Sequence, residues 1–315
     1  MVEPIFPAPE RPDARRPLLA YAMVATAAAL FGFNGTVSKV ILDSGLTSER
    51  LSEIRTTGAL AGLAAVVAVT RPGALRVGLR ELPFLAVFGV CGLAFVQWFY
   101  FISIHRLAIG IALLIEYLAP LLVALWARFA YREHVRRRIW AALGLALTGL
   151  ALIVQVWRGT TIDALGLAAA LVAAVTYAVY VLLAERGVAW RDPISLSAYG
   201  FLFASLWWAA VQPWWSFPAG RVGATVSLQG HLDSWHLPVW ALSLWMVVLG
   251  TIVPFGLVIT ALRHISATRA GIIAMLEPVV AIVVAWLWLD EALTPAQLAG
   301  GVVVLAGVVL AQTAR

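Results

Sequence analysis

The sequence predicts an all-α integral membrane protein whose ten transmembrane helices form two inverted five-helix repeats. Of the 315 residues, 62% are hydrophobic and only 12% are charged, whereas soluble domains carry about 45–50% apolar and about 25% charged residues. The apolar residues are collected into ten long runs, and the fourth run returns near the C-terminus with its charges redistributed. These observations favour a polytopic membrane protein built from two related halves.

Each of the ten runs approaches the length of about 20 apolar residues that a helix needs to cross the hydrocarbon core. We predict spans at 18–42, 51–70, 82–104, 107–131, 139–157, 164–184, 194–215, 237–262, 268–289 and 296–313. The expected organisation is a disordered cytoplasmic N-terminus at 1–17, a first repeat at 18–157 and a second repeat at 164–313. Most connections are short, and the long connection 216–236 is predicted to be an exposed loop.

The distribution of basic residues predicts the orientation of the chain. With the N-terminus inside, the cytoplasmic segments hold sixteen of the 22 basic residues and the opposite side holds six. Because cytoplasmic connections carry an excess of Lys and Arg, we expect both termini in the cytoplasm and the protein in the cell inner membrane.

The internal repeat aligns without gaps at an offset of 158 residues. Its most informative identities place Pro120, Glu133 and Gly149 over Pro278, Glu291 and Gly307. The first copy runs into the arginine cluster at 128–138, and the second copy lacks these arginines. Because each repeat has five helices, an odd number, the second copy must insert with the opposite orientation. The matching connection then lies on the opposite side of the membrane from the cytoplasm, where no excess of arginine is expected. Inverted repeats are typical of secondary transporters with a site near the membrane midplane.

Three segments carry a resemblance to a known family. The first helix reads LFGFNGTVSK at 30–39, the second contains Arg55 within IRTTGALAGL, and 275–312 begins with MLEP and has Glu291 thirteen residues after Pro278. Together they resemble the ten-helix EamA-type members of the drug/metabolite transporter superfamily, over about residues 18–313. The resemblance implies transport of small metabolites, most often amino acids or related compounds moved outward.

Glu116 is the most informative candidate for a substrate or proton site. A carboxylate inside a span is costly and should face a cavity or a partner. It can exchange a proton or bind an ammonium group; the structural alternative is a protonated side chain bonded to a neighbouring helix. Glu277 aligns with position 119, so the two glutamates share a helix face across the repeat. Packing beside Pro278 is its structural alternative.

Further candidates for the substrate cavity are polar residues at helical spacing, although the same residue types also make interhelical hydrogen bonds. They are Asn34, Ser38, Gln97, Tyr100, Tyr177 and Tyr180. We interpret Pro120, Pro254 and Pro278 as helix kinks, either static or part of a gate.

Other notable residues are predicted to be structural. Arg55 is expected to snorkel towards the membrane surface, and Gly58 and Gly62 to allow close helix packing. Glu133 and Glu291 lie at helix ends, and Thr294 to Gln297 form a capping box that places Glu291 in a turn.

The sequence predicts neither an enzyme nor a cofactor. It has no HExxH, GxSxG, Walker A or dinucleotide motif. The five histidines lie in connections, and a single cysteine, Cys91, makes no metal cluster. We expect a small-molecule substrate and the lipid bilayer as partners, with protons and a second copy of the chain as open candidates, and no nucleic acid.

The predicted function is secondary-active or facilitative efflux of small metabolites by alternating access. One alternative is a multidrug or lipophilic-cation exporter of the same fold. The other is a non-transporting membrane scaffold or sensor.

Overall fold

Within the part of the chain that the structure describes, ten helical spans are long and apolar enough to cross a membrane. The computed structural model describes residues 17–70, 72–104, 106–107, 109–132, 134–157, 163–290 and 292–313. Within these residues the predicted all-α membrane fold with ten spans is confirmed. The expected disordered N-terminus lies outside the described residues except for Pro17, which begins the first helix. Glu133 and Glu291 also lie outside them.

Four of the ten spans are each made of two helices. The first half contains α1 (Pro17–Leu42), α2 (Ser48–Thr70), α3 (Leu82–Gly89), α4 (Phe95–Ile104), α5 (Ile109–Glu116), α6 (Ala119–Phe129) and α7 (Arg137–Val154). The second half contains α8 (Ala164–Trp190), α9 (Pro193–Val211), α10 (Val239–Val247), α11 (Val253–Ala261), α12 (Ala267–Ala274), α13 (Glu277–Leu289) and α14 (Pro295–Thr313). The divided spans are α3–α4, α5–α6, α10–α11 and α12–α13.

The interruptions of these spans recur at the repeat offset. A π-helical segment joins α3 to α4 at Val90–Ala94, and another joins α10 to α11 at Val248–Ile252, 158 positions later. The gap between α5 and α6 at 117–118 returns at the same offset between α12 and α13. Because π-helical turns are rare and often occur at functional sites, their repetition supports a common origin and a common role.

The two halves interlock through their helices. Helix α1 packs against α11 and α13 of the other half, and α8 packs against α4 and α5. Helices α2 and α9 form another pair that joins the halves, and α7 and α14 form the closest one. A site at the centre is therefore lined by both halves.

Several predicted boundaries differ from the structure. The span predicted at 194–215 ends at Val211, just before Pro213, which cannot continue a helix. The connection 216–236 was expected to be only an exposed loop, but it contributes to a hairpin of β1 (Thr225–Ser227) and β2 (His236–Pro238). Trp288 at the end of α13 donates a hydrogen bond from Nε1 to the Leu228 carbonyl at 2.7 Å, so the hairpin covers that helix end.

The capping box before α14 is confirmed. The Thr294 N–H donates to Gln297 Oε1 at 2.9 Å, and the Gln297 N–H donates to Thr294 Oγ1 at 3.3 Å. Pro295 is the first residue of the helix, where its missing N–H has no consequence for helical bonding.

Candidate substrate site

The breaks in the fourth and ninth spans bring polar groups into the interior of the membrane. Glu116 is the last residue of α5, and Glu277 is the first residue of α13. Pro120 and Pro278 are the second residues of the helices that follow the breaks, and proline cannot donate to the carbonyl four residues earlier. Irregular backbone at membrane depth is tolerated where it is buried in protein or lines a water-filled cavity. The breaks therefore mark an internal polar site.

Both carboxylates belong to one group of interacting side chains, here called the carboxylate cluster. Glu116 and Glu277 interact electrostatically with each other and with Tyr100 and Tyr177. The Tyr117 hydroxyl lies against the Glu277 carboxylate. Three of these residues come from the first half and two from the second, so the two halves meet at this cluster.

An aromatic wall adjoins the carboxylate cluster. The rings of Tyr177 and Tyr180 stack with centroids 6.2 Å apart. Tyr180 also stacks on Phe88 and meets Phe255 edge to face, with centroids 5.7 Å away in each case. The Tyr180 hydroxyl is buried without a hydrogen-bond partner among the described residues. The wall joins helices of both halves and presents this hydroxyl as a candidate ligand-binding group.

Arg55 lies inside the bundle, so the prediction that it snorkels outward is wrong. Its Nε donates to Thr251 Oγ1 at 2.8 Å, and its Nη2 donates to the Gly250 carbonyl at 3.2 Å. The guanidinium lies over the Phe255 ring, 5.8 Å from its centroid, and interacts electrostatically with Glu277. These partners sit in the middle of the span formed by α10 and α11, far from the surface that a snorkelling side chain would reach.

Two local features allow Arg55 to reach these acceptors. Pro254 is the second residue of α11 and lacks an N–H, so the Gly250 carbonyl has lost its usual helical donor. Gly58 and Gly62 allow α2 to approach closely, as predicted. A Cβ at Gly58 would lie 2.6 Å from a methyl group of α10, and one at Gly62 would lie 2.5 Å from a side chain of the second π-helical segment.

Two of the other predicted cavity residues carry buried polar atoms without partners. Asn34 Oδ1 and Gln97 Oε1 have no hydrogen-bond partner within the part of the chain that the structure describes. Asn34 lies directly against Gly250, where a Cβ would find no room, so it adjoins the Arg55 site. Ser38 is half-buried one turn further along α1, and no described contact joins it to the carboxylate cluster. A buried polar group without a partner costs about 1–3 kcal/mol, so these atoms are candidate ligand-binding groups.

Sequence reasoning missed Arg55, Tyr117 and Thr251 as site residues. Arg55 is a charge within an apolar run, which by itself predicts a functional role, but its position near a helix start also allowed snorkelling. Thr251 stands three residues before Pro254, where a freed backbone favours polar partners. Tyr117 follows Glu116 directly, and only the helix break turns both residues towards the same group.

The fold and the site define a multi-pass membrane transporter with a polar centre between two halves. A solved structure described as "Crystal structure of protein" has the same fold, with a TM-score of 0.75 at 18% identity over 93% of this chain and 96% of that one. Residues 18–155 and 164–313 match the EamA-like transporter family. The chain belongs to this family.

Two curated relatives illustrate the similarity. The chain is 30% identical over 238 residues to the threonine/homoserine exporter RhtA of Escherichia coli (strain K12), covering 75% of this chain and 73% of the relative. It is 26% identical over 235 residues to the uncharacterized transporter YdfC of Bacillus subtilis (strain 168), covering 73% of this chain and 71% of the relative.

Proposed function

We propose that this protein exports amino acids or related small metabolites across the inner membrane by alternating access, with both termini in the cytoplasm. The observation that carries the proposal is the carboxylate cluster, to which both halves contribute at paired helix breaks. The similarity to a threonine/homoserine exporter supports the substrate class. The excess of arginine on one side supports the orientation.

Glu116 and Glu277 are the proposed partners of a cation during transport. Two neighbouring carboxylates in a poorly solvated site favour the uptake of a proton or of another positive group between them. Either a proton or the ammonium group of a substrate satisfies this requirement. Competition between the two for one site would couple substrate export to proton entry.

Access to the site is proposed to be controlled at the two ends of the α2–α9 pair. At the end assigned to the cytoplasm, Arg191 forms an ion pair with Glu81 and donates to the Ala74 carbonyl at 3.0 Å. At the other end, Arg50 donates to the Gln212 carbonyl at 3.2 Å and to Ser216 Oγ at 2.6 Å. Rocking of the halves would separate one set of contacts while the other holds.

A flux screen in proteoliposomes tests this proposal. Purified protein is reconstituted, and the uptake of labelled amino acids and other small metabolites is measured with and without an imposed pH gradient. We expect saturable flux of at least one small zwitterion that responds to the gradient. A complete screen without saturable flux above empty vesicles would refute the proposal and favour a non-transporting role.

The aromatic wall supports a second candidate function, export of lipophilic cations. Tyr177 joins this wall to the carboxylate cluster, and aromatic rings next to carboxylates are groups that bind lipophilic cations. Competition separates the two functions. Inhibition of amino acid flux only by other zwitterions supports the metabolite exporter, whereas strong inhibition by lipophilic cations that are themselves transported supports the drug exporter.

A further inference from the structure

Arg55 is held in a fixed orientation by neutral groups. Thr251 Oγ1 donates its own proton to the Met246 carbonyl at 3.0 Å, which leaves its lone pairs to accept from the Arg55 Nε–H. The Gly250 carbonyl accepts from Nη2 because Pro254 supplies no competing helical donor. These two bonds orient the guanidinium without cancelling its charge.

The guanidinium has further capacity to bind an anion. It carries five N–H donors, and the bonds to Thr251 and Gly250 use two of them. A planar guanidinium matches the geometry of a carboxylate better than any other side chain. A charge at this depth is also retained in membrane proteins mainly where it faces a partner or a substrate pathway.

The surroundings of Arg55 place positive and negative groups at one site. Its electrostatic partner is Glu277, which also interacts with Glu116. Asn34, whose Oδ1 has no partner among the described residues, lies against the same Gly250. A ligand that bridges Arg55 and the two glutamates must carry a negative group at one end and a positive group at the other.

We infer that Arg55 binds the carboxylate of a zwitterionic substrate while the Glu277 side of the carboxylate cluster receives its ammonium group. The inference rests on the proposed function and deepens it, because it assigns the carboxylate subsite and excludes simple amines as good substrates. The competing structural explanation is that Arg55 only ties α2 to the α10–α11 span. A structural tie affects the stability of the protein, but it does not select among ligands.

Binding of three small probes to purified protein separates these explanations. L-Threonine carries both charged groups, L-threoninol lacks the carboxylate, and 3-hydroxybutyrate lacks the ammonium group. Affinities are measured by calorimetry for the wild type, Arg55→Gln, Arg55→Lys and Thr251→Val. Arg106→Gln is the matched control, since Arg106 is an exposed arginine that pairs with Asp163 at 3.6 Å.

The wild type and Arg106→Gln should prefer threonine to threoninol by about tenfold or more, the usual effect of losing a hydrogen bond between charged groups. Arg55→Gln should remove this preference, and Arg55→Lys should retain part of it. Thr251→Val keeps the charge of Arg55 but removes one of the two hydrogen bonds that orient its guanidinium, so an intermediate preference for threonine is expected. Thr251→Val and Arg55→Lys also keep the inference testable where Arg55→Gln does not fold.

The outcomes distinguish the inference from the proposed function. Equal binding of threonine and threoninol by the wild type, or an unchanged preference in Arg55→Gln, overturns the role of Arg55. Binding of 3-hydroxybutyrate alone, lost in Arg55→Gln, overturns the inference of a zwitterionic substrate, because the site then binds a carboxylate without an ammonium group. A wild type that binds neither carboxylate probe overturns the inference.

Discussion

The two glutamates of the carboxylate cluster occupy different positions in the repeat. Glu116 precedes the break in the first copy, and its repeat equivalent is Ala274. Glu277 follows the break in the second copy, and its equivalent is Ala119. The first half therefore supplies a carboxylate from before its break, and the second half supplies one from after its break. This exchange makes the candidate site asymmetric although the scaffold is pseudo-symmetric.

Replacing Glu116 with Gln should abolish proton-coupled transport while leaving expression intact. The amide keeps the size and hydrogen-bonding capacity of the side chain but cannot exchange a proton. The measurement compares uptake with and without a pH gradient in proteoliposomes containing equal amounts of folded protein. Wild-type dependence on the gradient in Glu116→Gln would rule out this residue as the coupling group.

Replacing Gly32 with Ala should reduce transport strongly because α1 could no longer contact the start of α13. A Cβ at Gly32 would lie 2.8 Å from the Glu277 carbonyl oxygen, a backbone atom that cannot move without displacing Glu277. Gly35→Ala is the matched control on the same helix, since a Cβ there meets nothing within 4 Å. Transport rates of the two variants are compared at equal expression. Similar rates would show that this contact does not position the site.

The sequence predicted the acidic and tyrosine residues of the candidate site but not the arginine beside them. Glu116, Glu277, Tyr100 and Tyr177 were selected because polar residues inside apolar runs need an internal partner, and the structure brings these four together. Arg55 was misread because its direction depends on how closely α2 approaches the other half. The spacing of Gly58 and Gly62 predicts close packing of α2, but it does not identify the helix against which α2 packs.

At the scale of elements, the contact between α7 and α14 follows the pseudo-twofold symmetry of the repeats. A Cβ at Gly149 would lie 2.6 Å from the Gly300 carbonyl oxygen, and one at Gly307 would lie 2.8 Å from the Ala142 carbonyl oxygen. The repeat offset of 158 residues maps Gly149 onto Gly307 and Ala142 onto Gly300, so it converts one of these contacts into the other. Small residues allow such close backbone approach, and association of helices within lipid depends on it.

Gly149→Ala should destabilise the protein by about 1–3 kcal/mol, the usual cost of overpacking a tight contact. Gly144→Ala on the same helix is the control. A Cβ at Gly144 meets nothing within 4 Å, and alanine favours the helix by up to about 1 kcal/mol. Apparent melting temperatures in detergent should fall for Gly149→Ala and hold or rise for Gly144→Ala. The reverse order would contradict the assigned packing.

The spans were predictable from composition, whereas their interruptions were only partly so. Proline predicted a disturbance in the fourth and ninth spans, and the structure shows complete breaks two residues earlier. The π-helical segments have no local sequence signal beyond Pro254 in the second copy. The β1–β2 hairpin is short and depends on Trp288 of a distant helix, so local strand signals could not reveal it.

At the scale of the whole molecule, the halves interlock around the carboxylate cluster and are also tied at both ends. At one end, Arg191 between α8 and α9 pairs with Glu81 just before α3, and at the other end Arg50 connects α2 to Ser216. In this arrangement the two halves are in contact at both ends of the bundle. Transport by alternating access requires each set of contacts to separate in turn.

The most direct measurement is therefore transport with one end reversibly locked. Cys91 is the only cysteine, so Cys91→Ala provides a background in which Glu81→Cys and Arg191→Cys can be joined by a cleavable bifunctional thiol reagent. The protein with Glu81→Cys alone, treated identically, controls for modification. We predict that cross-linking stops substrate flux in proteoliposomes and that cleavage restores it. Undiminished flux through fully cross-linked protein would contradict alternating access at this end.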